Sequence, residues 1–326
     1  MKSRNHAIDL LRIILMGGIC YLHAAGGYAD IPTSAWLAKL LFPCVPCFVF
    51  ISGYYGISFK PIKLLRLYLL AYFCAFISEC ILATINSVDW NAIKLAQGAL
   101  SVSATRYWFL NSYFFLCFCS SIINVAVRET TPFERIVPFL VLVFGWGFLL
   151  TVPYAKDIFP RVSGFEPMSG LTLVGIYVFA RCFRVYDWES NLKSIYCVCA
   201  IPILGICAIV GFNDYNSPTG VLLAACIFTL FKRHIHVAER LQGVVDLLGG
   251  AMLAVYLLHF SPAGEFFMRK IGGILVQHKV PDHMAYICVA VTVFTGSTFI
   301  ELIRRKCVLA LRVALGKMFG GQAHAR

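Results

Sequence analysis

Apolar runs long enough to cross a lipid bilayer recur along this chain, and that recurrence restricts its fold more than any other feature. A spanning helix needs about 20 mostly apolar residues. Such runs fall near residues 8–25, 36–57, 64–86, 107–127, 136–154, 170–186, 195–211, 218–231, 248–266 and 284–303, the eighth being short. The fold class expected is all-α: a polytopic membrane protein with about ten transmembrane helices.

Composition agrees. Hydrophobic residues make up 60% of the chain and charged residues only 13%, against about 25% charged in a soluble globular protein. A soluble domain of this size has too little interior to hide that much apolar surface. No polar linker, charge run, internal repeat or low-complexity stretch divides the sequence. Residues 1–326 therefore read as a single transmembrane domain, with 304–326 as a basic cytoplasmic tail. The first apolar run follows Lys2 and Arg4 but carries Asp9, Arg12 and His23, which suits a retained helix better than a cleaved signal peptide.

The net charge is +12. The basic residues do not form one patch, so nucleic acid is not an expected partner. They recur in short clusters between apolar runs, which is the pattern of topology signals facing anionic lipid headgroups. With the N-terminus inside, the inner segments hold 19 lysines and arginines and the outer segments 8, with Arg12 inside the first span. This bias favours an even number of crossings in the cell membrane, with both termini cytoplasmic. The longest outer segments, 87–106 and 155–169, are suited to form a lip over a membrane-embedded pocket.

Most of the 14 cysteines stand singly in apolar runs, as small hydrophobic residues do. Cys44 and Cys47 form a Cys-x-x-Cys between Pro43 and Pro46. A redox or metal role stays open there, although no thioredoxin-like strand and helix surround the pair. Phosphate-loop, nucleophile-elbow and His-Glu-x-x-His motifs are all missing, so these motifs give no sign of ATP hydrolysis or a zinc site.

Ionisable residues inside spans cost about 2.5–3.5 kcal/mol each on insertion scales and are functional candidates by default. The first span is the richest. Asp9 and Arg12 are three residues apart and share a helix face. Arg12 and His23 are eleven apart, which returns to nearly the same face about 16 Å further along. Arg12 is either a snorkelling anchor paired with Asp9 or a binding group; His23 is either an interfacial or helix-bridging histidine or a functional one. Ser52, Gly53 and Gly56 are small enough to admit a neighbouring helix or a ligand. Lys60, Lys63 and Arg66 mark the inner edge of the third span and suit topology, phosphates or lipid headgroups. Glu79 falls mid-span, His259 follows an apolar stretch in the ninth span, and Glu301 ends the tenth beside Arg304 and Arg305.

The order of these features resembles the acyltransferase-3 family, integral membrane acyltransferases that modify bacterial surface glycans. Arg4 to Arg12 looks like the family's opening motif, and Arg12 with His23 matches its basic-x10-His signature. Ser52-Gly53-Tyr54 matches its Ser-Gly-aromatic element, and Tyr107-Trp108-Phe109-Leu110 its aromatic segment. Tyr256-Leu-Leu-His259 resembles its late Tyr-Leu-x-His, and Glu301 sits where its last span ends in Glu. The chain departs from the family after the second span, where Lys63-Leu-Leu-Arg66 stands in place of Arg-x-x-Arg, and it lacks the hydrolase-like domain that some members carry. The resemblance implies an O-acyltransferase with no tightly bound cofactor. Acetyl-CoA or another acyl-CoA would be the cytoplasmic donor, and a hydroxyl of a cell-surface or lipid-linked glycan the acceptor. His23 would be the general base, and Arg12, Lys60, Lys63 and Arg66 would receive the donor's phosphates. Asp9, Ser52, Tyr54, Trp108, His259 and Glu301 are the further site candidates, with Ser52, Tyr54 and Tyr256 considered for the oxyanion.

Two other readings compete. A transporter or flippase for a glycan intermediate needs polar groups on several helices along an alternating path, whereas this chain concentrates them on the first span and at helix edges. A purely structural membrane subunit would use the charged groups for assembly.

Overall fold

The computed structural model describes residues 5–31, 36–85, 107–131, 134, 136–151 and 168–320. The described residues are overwhelmingly helical, with no strand among them. In chain order the helices are α1 (His6–His23), α2 (Trp36–Leu41), α3 (Cys44–Tyr55), α4 (Pro61–Ile85), α5 (Trp108–Glu129), α6 (Val137–Thr151) and α7 (Gly170–Val185). They continue as α8 (Trp188–Asn191), α9 (Ser194–Ile209), α10 (Pro218–His234), α11 (Glu239–His259), α12 (Pro262–Gln277) and α13 (Asp282–Gly320). The outer segment 87–106, most of 155–169 and the last residues of the tail lie outside the described residues.

Local chemistry sets several of these boundaries. Asn5 opens α1 by accepting hydrogen bonds from the amides of Ala7 and Ile8 at 3.1 and 3.4 Å, and Asp9 in the first turn complements the helix dipole. Beyond His23 the chain widens into a π-helical turn, Ala24–Tyr28, which leaves helical geometry at Gly27 with φ of 96°. Serine caps followed by proline at the first helical position start both α10, at Ser217-Pro218, and α12, at Ser261-Pro262. The second of these signals corrects the sequence reading. The expected ninth span, 248–266, is two helices that break at Phe260-Ser261, and its first helix begins earlier, at Glu239.

Among the described residues, six stretches are long and apolar enough to cross a membrane: His6–Tyr28, Trp36–Tyr55, Pro61–Ile85, Trp108–Glu129, Glu239–His259 and Asp282–Ala314. The other expected runs coincide with α6, α7, α9 and α10, of 15, 16, 16 and 17 residues. Large apolar side chains point outward from the bundle, among them Ile122 at 75% exposure and Phe299 at 65%. Water would penalise that surface and hydrocarbon accepts it. Residues 304–320, expected as a tail, continue α13 as helix.

Helix α1 occupies the middle of the bundle, packed by α3, α10, α11 and α13. It runs parallel to α11. His6 meets Asp246 at 3.0 Å near the start of both helices, and His23 meets His259 at 2.7 Å at their ends. Parallel neighbours in a bilayer must cross it in the same direction, as the first and ninth of the expected spans do. The C-terminal ends of α3, α5, α7 and α10 gather at one end of the bundle: Lys232 and Arg184 reach the Tyr54 hydroxyl, and the Tyr186 hydroxyl bonds the carbonyls of Val127 and Thr130. That end carries the basic residues assigned to the cytoplasmic side.

The small residues after Phe48 divide their work. A Cβ on Gly53 would stand 2.6 Å from the Tyr177 carbonyl oxygen and 2.8 Å from the Ala180 side chain, so Gly53 lets α3 close on α7. Gly56 ends α3 at φ 78° with the Arg181 guanidinium against it. Ser52 instead faces a cavity.

Candidate active site

The cavity has a volume of about 300 Å³ and lies along α1. Arg12 and His23 both line it, so the two residues predicted to share a face of this helix open onto one space. Ser52 and Tyr113 line it from α3 and α5, and Gly250 and Tyr256 from α11. Trp108 lines it too, with its indole stacked on Tyr215 at 5.5 Å.

Near one end the guanidinium of Arg12 donates to Asp9 at 2.9 Å. Asp9 is buried and Arg12 half-buried. The arginine therefore satisfies a buried carboxylate while its remaining donors stay accessible from the cavity.

At the other end two imidazoles fix one another. His259 is fully buried. Its Nδ1 lies 2.7 Å from the Val255 carbonyl oxygen, and its Nε2 lies 2.7 Å from Nδ1 of His23. A carbonyl oxygen only accepts, so Nδ1 of His259 carries a proton. In the neutral ring Nε2 is then an acceptor, and His23 must donate to it through Nδ1. Nε2 of His23 is left with its lone pair. The ring is held in place by Phe260, stacked at 4.4 Å, and by the edge of Tyr28 at 5.9 Å.

Sequence reasoning placed His259 among the candidates but had no means of pairing it with His23, since 236 positions separate them.

The other candidates take different places. Glu301 is buried and holds Arg304 and Arg305 at 2.6–2.7 Å. Arg305 also donates to the carbonyl of Gly250, a residue of the cavity wall. Glu301 thereby fixes α13 against α11 and acts on the cavity only through that wall. Tyr54 does not line the cavity. Its hydroxyl bonds Glu189 and accepts from Lys232 at 2.6 Å, and Lys232 bridges to Glu189 at 2.7 Å. Burial raises the Glu189 carboxyl, but the hydrogen bonds from Lys232 and Tyr54 outweigh it and leave the group below the ordinary carboxylate value. Lys60, Lys63 and Arg66 are exposed at the start of α4 and do not line the cavity, although Leu67 beside them does. Cys44 and Cys47 are free and buried, with the Cys44 sulfur packed against Gly18.

Sequence reasoning misses the Tyr54–Glu189–Lys232 cluster, because Lys232 is one of the inner lysines and arginines that read as topology signals. The available signal is a pair of acids, Asp187 and Glu189, in a basic inner segment.

No curated protein and no solved structure matches the chain. A family model described as an acyltransferase domain matches residues 5–302, from the cap of α1 to the residue after Glu301. A match over that span, on a helical chain whose central helix carries Arg12 and His23 into one cavity, shows that the protein belongs to the acyltransferase-3 family of membrane acyltransferases.

Proposed function

We propose that this protein is an O-acyltransferase of the cell membrane that crosses it about ten times with both ends in the cytoplasm. It moves an acyl group, acetyl in the simplest case, from a cytoplasmic acyl-CoA to a hydroxyl of a cell-surface or lipid-linked glycan. The observation that carries this reading is the single cavity shared by Arg12 and His23. The two lie eleven residues apart, about 16 Å along the helix. A long, slim donor arm fits such a path, with its phosphates near Arg12 and the basic inner rim and its thioester near His23. Lys60, Lys63 and Arg66 belong to that rim, where they raise the local concentration of an anionic donor before it docks.

His23 acts as general base through Nε2, the nitrogen that the His259 contact leaves unprotonated. It takes the proton of the sugar hydroxyl as the oxygen attacks the thioester carbonyl. The tetrahedral intermediate collapses by breaking the carbon–sulfur bond, and the departing thiolate takes the proton back from His23. His259 holds the tautomer and orientation of His23, as a third group does in other base-assisted acyl transfers. The largely apolar walls of the cavity disfavour water beside the thioester and so slow its hydrolysis.

The test is the mass profile of the surface polysaccharide in cells expressing the wild type or His23→Ala. The variant should insert normally and yield glycan lacking one acyl increment per modified sugar. Unchanged acylation with the variant would sink the enzyme reading. Acylated precursor accumulating untranslocated would favour a flippase instead.

A further inference from the structure

The proposed reaction places negative charge on the thioester oxygen, and a candidate donor for it lies in the cavity. Tyr256 stands one turn before His259 on α11, on the same helix face, and lines the cavity with His23. The residue is 6% exposed, and its buried hydroxyl donates to no acceptor among the described residues. An unmet buried hydroxyl costs about 1–3 kcal/mol, and native structures seldom keep one without a reason. The ring cannot turn the hydroxyl elsewhere. Phe260 stacks on it at 6.2 Å, while Tyr107 and Phe109 press their edges on it at 6.2 and 5.7 Å.

A second feature converges on the same place. Trp108, Phe109 and Leu110 form the first turn of α5 and line the cavity. The amides of a first helical turn have no partner within their own helix, and the Tyr107 side chain does not cap them. The amides of Phe109 and Leu110 lie beside the Tyr256 hydroxyl. The positive end of the helix therefore acts on the hydroxyl oxygen and leaves the hydroxyl proton as the group that needs an acceptor.

We infer that Tyr256, backed by the amino end of α5, donates its hydroxyl proton to the thioester carbonyl oxygen and stabilises the charge that forms there during acyl transfer. This rests on the acyltransferase reading above. As the sugar oxygen bonds to the carbonyl carbon, the carbonyl electron pair moves onto the oxygen that Tyr256 holds. It returns when the thiolate leaves, and Tyr256 is unchanged by the cycle. Of the three groups considered for this role, Tyr54 is engaged with Glu189 and Lys232, and the Ser52 hydroxyl donates to the Phe48 carbonyl at 3.1 Å. Tyr256 alone of the three has a hydroxyl proton with no acceptor among the described residues.

Tyr256→Phe removes one oxygen and keeps the ring packing. In proteoliposomes supplied with acetyl-CoA and acceptor glycan, thiol release should fall about 10²–10³-fold in kcat, the usual loss for one oxyanion donor. The affinity for CoA, titrated separately, should stay within about threefold, as expected when an interaction made only in the transition state is removed. A kcat near that of the wild type overturns the inference and leaves the acyltransferase reading standing. A parallel loss of CoA affinity assigns Tyr256 to packing and overturns it as well. No acceptor-dependent thiol release from the wild type defeats the acyltransferase reading, and the inference with it.

Discussion

Nδ1 of His23 lies 2.7 Å from Nε2 of His259, and the opposite nitrogen of His259 is anchored on the Val255 carbonyl. This chain of contacts turns a lone imidazole into an oriented one with a defined free nitrogen.

His259→Ala should leave His23 free to adopt either tautomer and rotamer, and kcat should drop about 10²-fold or more. A glutamine at 259 offers a side-chain carbonyl that can accept from Nδ1 of His23, so His259→Gln should recover part of the loss. Equal losses in the two variants would assign His259 to packing. Steady-state kinetics with both, alongside thermal unfolding in detergent, separate the cases.

Arg12 serves two partners, and its variants should show both. Arg12→Ala deprives the buried Asp9 carboxylate of its guanidinium and should lower stability by about 1–3 kcal/mol. Arg12→Lys keeps the charge but loses the fork. It should raise the KM for acyl-CoA about tenfold, the worth of one charge-assisted hydrogen bond of about 1.5 kcal/mol, with little change in kcat. A kcat effect without a KM effect would place Arg12 away from the donor.

The first helix was legible because its information is local. Helical spacing alone put Asp9 beside Arg12 and aligned Arg12 with His23. The late histidine was visible only as an ionisable residue in an apolar run, because its partner depends on how α11 lies against α1. Parallel packing of two helices so distant in sequence leaves no periodic signal. Tyr54 was expected near the chemistry by its place in a short motif. The C-terminal end of α3 instead delivers it to Glu189 and Lys232, two residues that charge counting treats as unrelated. The break at Phe260-Ser261 was written in the Ser-Pro pair, but an apolar run that continued across it concealed the cap. The ten apolar runs were clear from hydropathy; which of them cross fully depends on lengths near the lower limit for a span.

Gly53 admits α7 to within contact of the α3 backbone. Gly53→Ala forces that interface apart and should cost about 1–3 kcal/mol, as overpacking commonly does. The effect should appear as a lowered unfolding temperature. An unfolding temperature equal to that of the wild type would mean that the two helices separate without penalty.

Glu189 lies outside the spans, between α7 and α9, and its folded carboxyl sits below the ordinary value because Lys232 and Tyr54 bond it against the opposing effect of burial. A carboxyl lowered on folding adds stability above its unfolded pKa, near 4.5, and loses it as pH falls through the lower folded value. Thermal stability in detergent should therefore decline on acidification below about pH 4.5. Glu189→Gln should be less stable at neutral pH and show a shallower decline. An acid slope unchanged by the substitution would remove Glu189 as its source.

The most direct measurement follows thiol release from acetyl-CoA by purified protein in proteoliposomes, with and without acceptor glycan, for the wild type and His23→Ala. The wild type should release thiol in step with acylation of the glycan. His23→Ala, inserted normally and binding CoA as before, should lose about 10²–10⁴-fold of that rate, the contribution of a general base. Transfer by His23→Ala at the wild-type rate would show that the reaction does not run through this imidazole.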